Sequence, residues 1–294
     1  MDFSKPITIA TSTSASLDLN SITSSPAAGT PLSGYMVDSV SYAGTPITGF
    51  TDPLAQRDGA DTDIALLSPR SVQIVCQVYG SSQADFHDRI NVLNAAFAPY
   101  PTFAAAVDGF RNLDFSQPTA TYSAYASTGI PMRLKVRPSS LPNYGLRMAS
   151  VTPQTTDRGV AASVNITLAC KDPRKICQTA ITQSLVTTAT NSVVNNGNYF
   201  AYPTVRLITT SAQTVTVSTS AWTTAVAIAS GSTTTLINSV DRVVTVNGTT
   251  DMSVLTSVTT GLPYLEPGTN NITLSTNQPG FITASQIIYE EAWL

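Results

Sequence analysis

The chain has 294 residues, of which only 11% are charged, and 15 Lys and Arg against 18 Asp and Glu leave a net charge of −3. That length suits two ordinary domains, each able to bury its own core. The balance of charge gives no general nucleic-acid footprint, and an apolar content of 42% argues against disorder. Polarity is carried by Thr, Ser, Asn and Gln, a mix that favours strands and turns. A surface so poor in charge is tolerable when neighbouring subunits cover it, so oligomerisation is expected, although a secreted β-rich protein shares this composition. No run approaches the ~18 apolar residues that a membrane span needs, so no membrane anchor is expected. The start, Met1 to Pro6, lacks the apolar core of a secretory signal. Cys76, Cys170 and Cys177 cannot complete a disulfide framework and read as free thiols of a reducing cytosol.

Residues 4–35 are rich in Ser, Thr and Pro, with one alternating patch at Ile7–Ala10. A short strand and then a long arm or loop is expected. Tyr35–Val40 and Ile47–Phe50 are further strand candidates, and Asp52–Asp63 reads as an acidic loop. In Arg70–Gly80, Val72, Ile74, Cys76 and Val78 share one face of a strand. Gly80-Ser81-Ser82 stops it. Ser82 suits an N-cap, with Asp85 three residues on. Phe86, Ile90, Leu93 and Phe97 then form one stripe of a helix of about four turns, ended by Pro99 and Pro101.

Strand regions follow at Phe103–Val107 and Phe110–Phe115. Met132, Leu134 and Val136 alternate with Arg133, Lys135 and Arg137. Val164, Ile166, Leu168 and Cys170 form a similar face, broken by Lys171–Lys175. Gln178–Asn198 carries no charge and reads as a strand-forming connector between domains. From Tyr199 onward only strands are expected: Tyr202–Ile208, Thr214–Val217, Val226–Ile228, Thr235–Ile237, Val243–Val246, Val254–Val258, Ile272–Leu274 and Ile287–Tyr289. Asn247-Gly248 is a hairpin signal, and Pro267-Gly268 has type II turn chemistry. Short, evenly spaced strands of this kind suggest a sandwich or jelly roll.

No catalytic constellation emerges. His87 is the only histidine, and it lacks a nucleophile and an orienting group. Cys170 and Cys177 lack the spacing and partners of a zinc site, and a core thiol plus an exposed thiol is expected. Glu290 and Glu291 point to opposite faces of a strand and cannot act across one bond. The Asp52–Asp63 loop could hold Ca²⁺ but lacks EF-hand spacing. No enzyme activity, cofactor or metal is expected. Arg133, Lys135 and Arg137 read as a solvated strand edge or, more sharply, as a contact with an acidic partner or passing nucleic acid. Tyr289 and Trp293 read as core anchors of the last strand, with a sugar-stacking platform as the alternative. A carbohydrate-binding or receptor-binding module is therefore the second function class.

Several segments together resemble the distal tail protein family (Dit) of long-tailed siphophages, with the related minor tail proteins of actinobacterial phages. They are Arg70–Gly80 with the helix after it, Leu168–Lys175, Asn196-Gly197 with Tyr202–Val205, Val240–Gly248, Leu265–Asn270 and Ile287–Trp293. The match runs from about residue 35 to the end, and the order of the segments carries it. The resemblance implies a mainly β fold. Residues 1–185 would form a ring-forming domain, a β-sandwich or split barrel with one amphipathic helix over about 82–98. Residues 186–198 would be a connector, and residues 199–294 a galectin-like β-sandwich. It implies a virion structural protein, made in the host cytoplasm and placed at the distal end of the tail. Its partners would be copies of itself in a homohexameric ring, the tail tube protein, the tail hub or tail-associated protein, and the tape measure and receptor-binding proteins. DNA would only pass through the lumen. The Thr11–Gly34 arm is expected to reach onto the next subunit, and Arg133, Lys135 and Arg137 to line a partner interface or the lumen.

Overall fold

The computed structural model describes residues 5–11, 15–22, 31–42, 47–48, 51–53, 60–62, 66–67, 69–97, 110–120, 127–139, 142–144, 154–156, 159–170, 172–231, 233–259 and 261–294. The chain divides into two compact units, Met1–Pro173 and Arg174–Leu294. The expected strand at Phe103–Val107 and the centre of the Asp52–Asp63 loop lie outside the described residues.

In the first unit the strands are β1 (Thr8–Ala10), β2 (Ser16–Asp18), β3 (Gly34–Tyr42), β4 (Ile47–Thr48), β5 (Thr51–Pro53), β6 (Ala60–Thr62), β7 (Leu66–Leu67) and β8 (Arg70–Gly80). Helix α1 (Gln83–Phe97) comes next, then β9 (Arg111–Gln117), β10 (Ile130–Pro138), β11 (Asn143–Tyr144), β12 (Gln154–Thr156) and β13 (Gly159–Cys170). The main antiparallel sheet runs β2-β1-β9-β10-β13-β8-β3. Its register places like with like: Ile74 faces Ile166, Val72 faces Leu168, and Leu134 faces Leu113. The alternation read from the sequence is therefore one apolar face, with Val72, Ile74, Cys76, Val78, Met132, Leu134, Val136, Val164, Ile166 and Leu168 all buried. Each such side chain is worth roughly 1.5–3 kcal/mol of transfer free energy.

The two ends of this sheet meet. Just after β2, the Asn20 side-chain oxygen accepts the Val37 N–H at 3.0 Å, the Ser21 hydroxyl accepts the Tyr35 N–H at 2.9 Å, and the Ile22 N–H donates to the Tyr35 carbonyl at 2.9 Å. The sheet is thus a barrel closed largely by side chains, in keeping with a split barrel. This corrects the expected arm in part. Residues 16–18 pair with β1 and residues 20–22 dock on β3 of the same chain, because Asn20 and Ser21 satisfy backbone donors that an open edge would leave exposed.

Helix α1 matches the expected span to within a residue at each end. The Ser82 hydroxyl accepts the Asp85 N–H at 3.2 Å. Asp85 reaches back one residue further than a capping box does, to the Ser81 N–H and hydroxyl at 2.8 and 3.0 Å. Phe86, Leu93, Ala96 and Phe97 are buried, and Ile90 is half-buried. The last turn has no basic residue of its own. The guanidinium of Arg111 on β9 donates to the Ala96 carbonyl there instead. The helix starts so close over Gly80 that a Cβ there would lie 2.4 Å from the Phe86 nitrogen.

The second unit contains β14 (Lys175–Cys177), β15 (Ile181–Ser184), β16 (Thr190–Asn195), β17 (Thr204–Thr209), β18 (Gln213–Ser218), β19 (Thr223–Ile228) and β20 (Thr233–Asn238). It continues with β21 (Val243–Val246), β22 (Thr249–Thr250), β23 (Leu255–Thr259), β24 (Gly268–Thr276), β25 (Ile282–Tyr289) and β26 (Ala292–Trp293). Two antiparallel sheets, β15-β25-β17-β20-β21-β22 and β16-β24-β18-β19-β23, share one core, and β14 pairs with β26. Val205, Leu207, Ile237 and Ile287 from one sheet meet Val193, Val215, Val217, Ile272 and Leu274 from the other around Trp222. This is a β-sandwich. Asn247 (φ 50°) and Gly248 (φ 82°) form the two-residue hairpin loop between β21 and β22.

Two expectations are corrected here. The boundary between units lies at residues 173 and 174, not in a connector over 186–198. That stretch contributes β16, whose Val193 is fully buried in the sandwich core, and Asn191 and Asn195 are buried beside it. Cys177 is not an exposed thiol. All three cysteines are free and buried, because β14 is covered on pairing with β26.

Candidate functional site

Arg133, Lys135 and Arg137 do share one face of β10. The strand is internal, between β9 and β13, so these charges guard no sheet edge. Arg133 grips Asp114 on β9 through both carboxylate oxygens, at 2.7 and 3.0 Å. The Arg137 guanidinium lies 5.3 Å from the centroid of the Phe110 ring. Lys135, between them, is exposed. The stripe is thus a partly neutralised surface with one solvated ammonium at its centre.

Tyr289 and Trp293 cannot form a sugar platform in this fold, being 4% and 5% exposed. The Tyr289 hydroxyl donates to the Val194 carbonyl at 2.7 Å. Burial, reinforced by the Glu291 carboxylate, pushes the phenol up to about 12. Both residues are buried anchors of the last strands. Trp222 is likewise buried, its ring N–H donating to the Tyr264 carbonyl at 2.7 Å. Glu290 is exposed while Glu291 is buried against Asn196, whose backbone N–H and side-chain amide both donate to it. His87 is exposed on α1 against the edge of Phe86. Among the described residues no three His, Cys, Asp or Glu side chains converge on a point where a metal could sit. No helix among them is long and apolar enough to cross a membrane.

One concavity among the described residues left no mark in the sequence pattern. A groove of about 660 Å³ in the second unit is lined by Phe200, Tyr202, Ser239, Arg242, Met252, Leu255, Val258, Gly261, Leu262 and Tyr264. Its residues come from the segment before β17, the β20–β21 turn, the short helical turn before β23, β23 itself and the segment after it. Phe200 and Tyr264 meet edge to face at 5.6 Å, and the Arg174 guanidinium covers Tyr202 at 4.7 Å. Asn238 builds the β20–β21 turn: its side-chain oxygen accepts the N–H groups of Val240 and Asp241 at 3.0 and 3.1 Å. That turn holds Arg242 at φ 57°. No residue of the groove pairs a nucleophile with a base. The arrangement offers an apolar and aromatic surface with one guanidinium at its rim.

The crystal structure of the Dit protein of phage SPP1, described as a paradigm of the hub adsorption apparatus in phages infecting Gram-positive bacteria, is similar to this chain. It matches 88% of this chain and 94% of its own length, with a TM-score of 0.58 and 19% identity. Chains of the phage p2 baseplate in its activated conformation align over 97% of both partners at 9% identity, with TM-scores of 0.43 for the Sr form and 0.39 for the Ca form. No family model matches the chain, and no curated protein sequence does. The likeness to SPP1 Dit shows a shared fold, mainly β, and its extent exceeds either unit alone.

Proposed function

We propose that this chain is a virion structural protein of a siphophage tail tip, a distal tail component of the Dit kind. One observation carries the reading: both units, in the same order along the chain, fall within a single fold match to SPP1 Dit. In this role the first unit builds a homohexameric ring at the end of the tail tube, through which DNA passes. The second unit projects to brace the tail hub and the host-recognition parts. A head-to-tail ring needs a heterologous interface whose rotation closes. A Thr- and Ser-rich surface with few charges costs less to desolvate in such an interface than Lys or Glu would. Lys135, with Arg133 and Arg137 beside it, faces a neighbouring protein or the lumen in this reading.

The test is the mass and image of the purified full chain. Six copies of 30.9 kDa give particles of roughly 185 kDa, with six-fold rings in negative stain. A monomer by light scattering, together with absence of the protein from purified virions, overturns the reading. Lys135→Glu separates the two positions of the stripe. It lowers infectivity without loss of rings if the stripe faces DNA, and it weakens assembly if the stripe faces a neighbour.

A further inference from the structure

We propose that the groove of the second unit is a docking site for an extended segment of another tail protein, one that inserts an aliphatic or aromatic side chain and presents a carboxylate to Arg242. That the partner is a tail protein rests on the tail-tip reading; the chemistry of the groove does not.

Four observations converge on that occupant. Tyr202, Met252 and Val258 line the groove and remain 38%, 45% and 39% exposed, an apolar surface left in water. Methionine at such a place adapts to the shape of what it binds. Next, the Ser239 hydroxyl is buried in the groove wall with no hydrogen-bond partner. A peptide carbonyl or amide entering the groove would satisfy it. Third, Arg242 is the only charged residue lining the groove and makes no ion pair among the described residues. The Asn238 turn presents it on a fixed backbone, and no carboxylate lines the groove to compete for it. Fourth, β23 supplies Leu255 and Val258 to the groove and is the edge strand of its sheet. Its sequence, Leu-Thr-Ser-Val-Thr, carries none of the charges or prolines that normally blunt an edge. An extended segment can therefore pair with β23 while its alternate side chains enter the groove. A sugar is the poorer fit. Its hydroxyls need a set of carboxylate and carboxamide partners, and the lining has neither.

The experiment pans a library of random linear heptapeptides against the full-length protein and measures the winners by fluorescence anisotropy. The expected winners combine an aliphatic or aromatic residue with an Asp or Glu. Val258→Lys, at an exposed position, weakens them at least tenfold. Arg242→Asn does the same while keeping a residue that tolerates the left-handed backbone. Ser239→Ala weakens them roughly twofold to tenfold, and it does not lower the urea midpoint, because the hydroxyl has no partner to lose and its unmet burial cost disappears with it. Failure to enrich any peptide overturns the proposal, as do winners that bind the variants as well as the parent. So does glycan-array binding that the same variants abolish. If Val258→Lys instead removes self-association of the pure protein, the occupant is a second copy and the proposal falls. Peptide binding retained by a protein absent from virions sinks only the tail-tip reading.

Discussion

Asn270 stabilises the Glu266–Gly268 turn that leads into β24, and replacing it tests how that turn is held. Its side-chain oxygen accepts the Glu266 N–H at 2.9 Å, and its amide donates to the carbonyls of Glu266 at 2.8 Å and Gly268 at 3.1 Å. Asn270 is 8% exposed, so each of the three bonds is shielded from water at the Asn270 end. At about 1 kcal/mol net per bond the three sum to about 3 kcal/mol. Glu266 and Gly268 are exposed, and water can recover part of that at their carbonyls. Asn270→Ala should therefore cost about 2 kcal/mol. Trp222 lies in the second unit's core, so in a Trp293→Phe background the emission follows this unit during a urea titration. With a slope of about 1.5 kcal/mol per molar urea, the midpoint should fall by about 1 M. Asn270→Asp adds a check on mechanism. It keeps the acceptor for Glu266 but turns a carboxylate toward two carbonyl oxygens, which raises its folded-state pKa above the unfolded value. The extra loss is present at neutral pH and shrinks as pH falls through that raised value. A midpoint shift below about 0.3 M for Asn270→Ala would refute the reasoning.

Gly197→Ala should cost about 1–3 kcal/mol by the same tryptophan assay, because its Cβ would sit 2.1 Å from the Ala292 carbonyl oxygen, a backbone atom that cannot step aside. Removing Arg133, Asp114 or both should reveal a coupling of only about 0.5–1 kcal/mol that fades in high salt, since the pair is 35% and 25% exposed. Burial pushes the Cys76 thiol up to about 12 and the Cys170 thiol up to about 11. With Cys177 also buried, native protein at pH 8 should leave all three unmodified by a disulfide reagent, and urea should release three. A thiol that reacts at once in the native state would show one of these burials to be wrong.

The strand faces were legible because a two-residue period survives any tertiary context that buries one side. Val72 to Val78, Met132 to Val136 and Val164 to Cys170 each read correctly, and their register then follows from keeping the apolar faces together. The helix announced itself through Ser82 and the Phe86 to Phe97 stripe. What failed to show were features made by polar residues inside. The stretch over 186–198 looked like a linker because Thr, Ser and Asn alternate with its valines. A pattern of that kind looks solvent-facing until one knows that backbone groups wait for those amides. The closure of the barrel by Asn20 and Ser21 was hidden for the same reason. The groove was hidden for a different one: its walls come from segments spread between Phe200 and Tyr264, and no period relates them.

The asparagines point to a common economy in both units. Asn20 ties Lys5 to Val37; Asn191 binds the backbone of Val186, Ala189 and Ile272; Asn195 bridges Gly197, Tyr199 and Leu265. With Asn270, each is at least nine-tenths buried and each serves main-chain groups at a turn or an edge. A carboxylate could accept such bonds but could not donate, and a lysine could do only the reverse. A neutral amide does both and carries no charge that burial would penalise. A chain that closes its turns this way needs few charges inside, and its edges are sealed by side chains that neither attract nor repel a neighbour at a distance. Association with such a surface is then decided by shape and by the few edges left open. Among these, β23 is uncharged and borders the groove. Placing a lysine at Ser257 on β23 should then hinder docking there while leaving the sandwich's unfolding free energy within about 0.5 kcal/mol of the parent. A large loss of stability instead would mean that the exposed edge is part of the unit's own core.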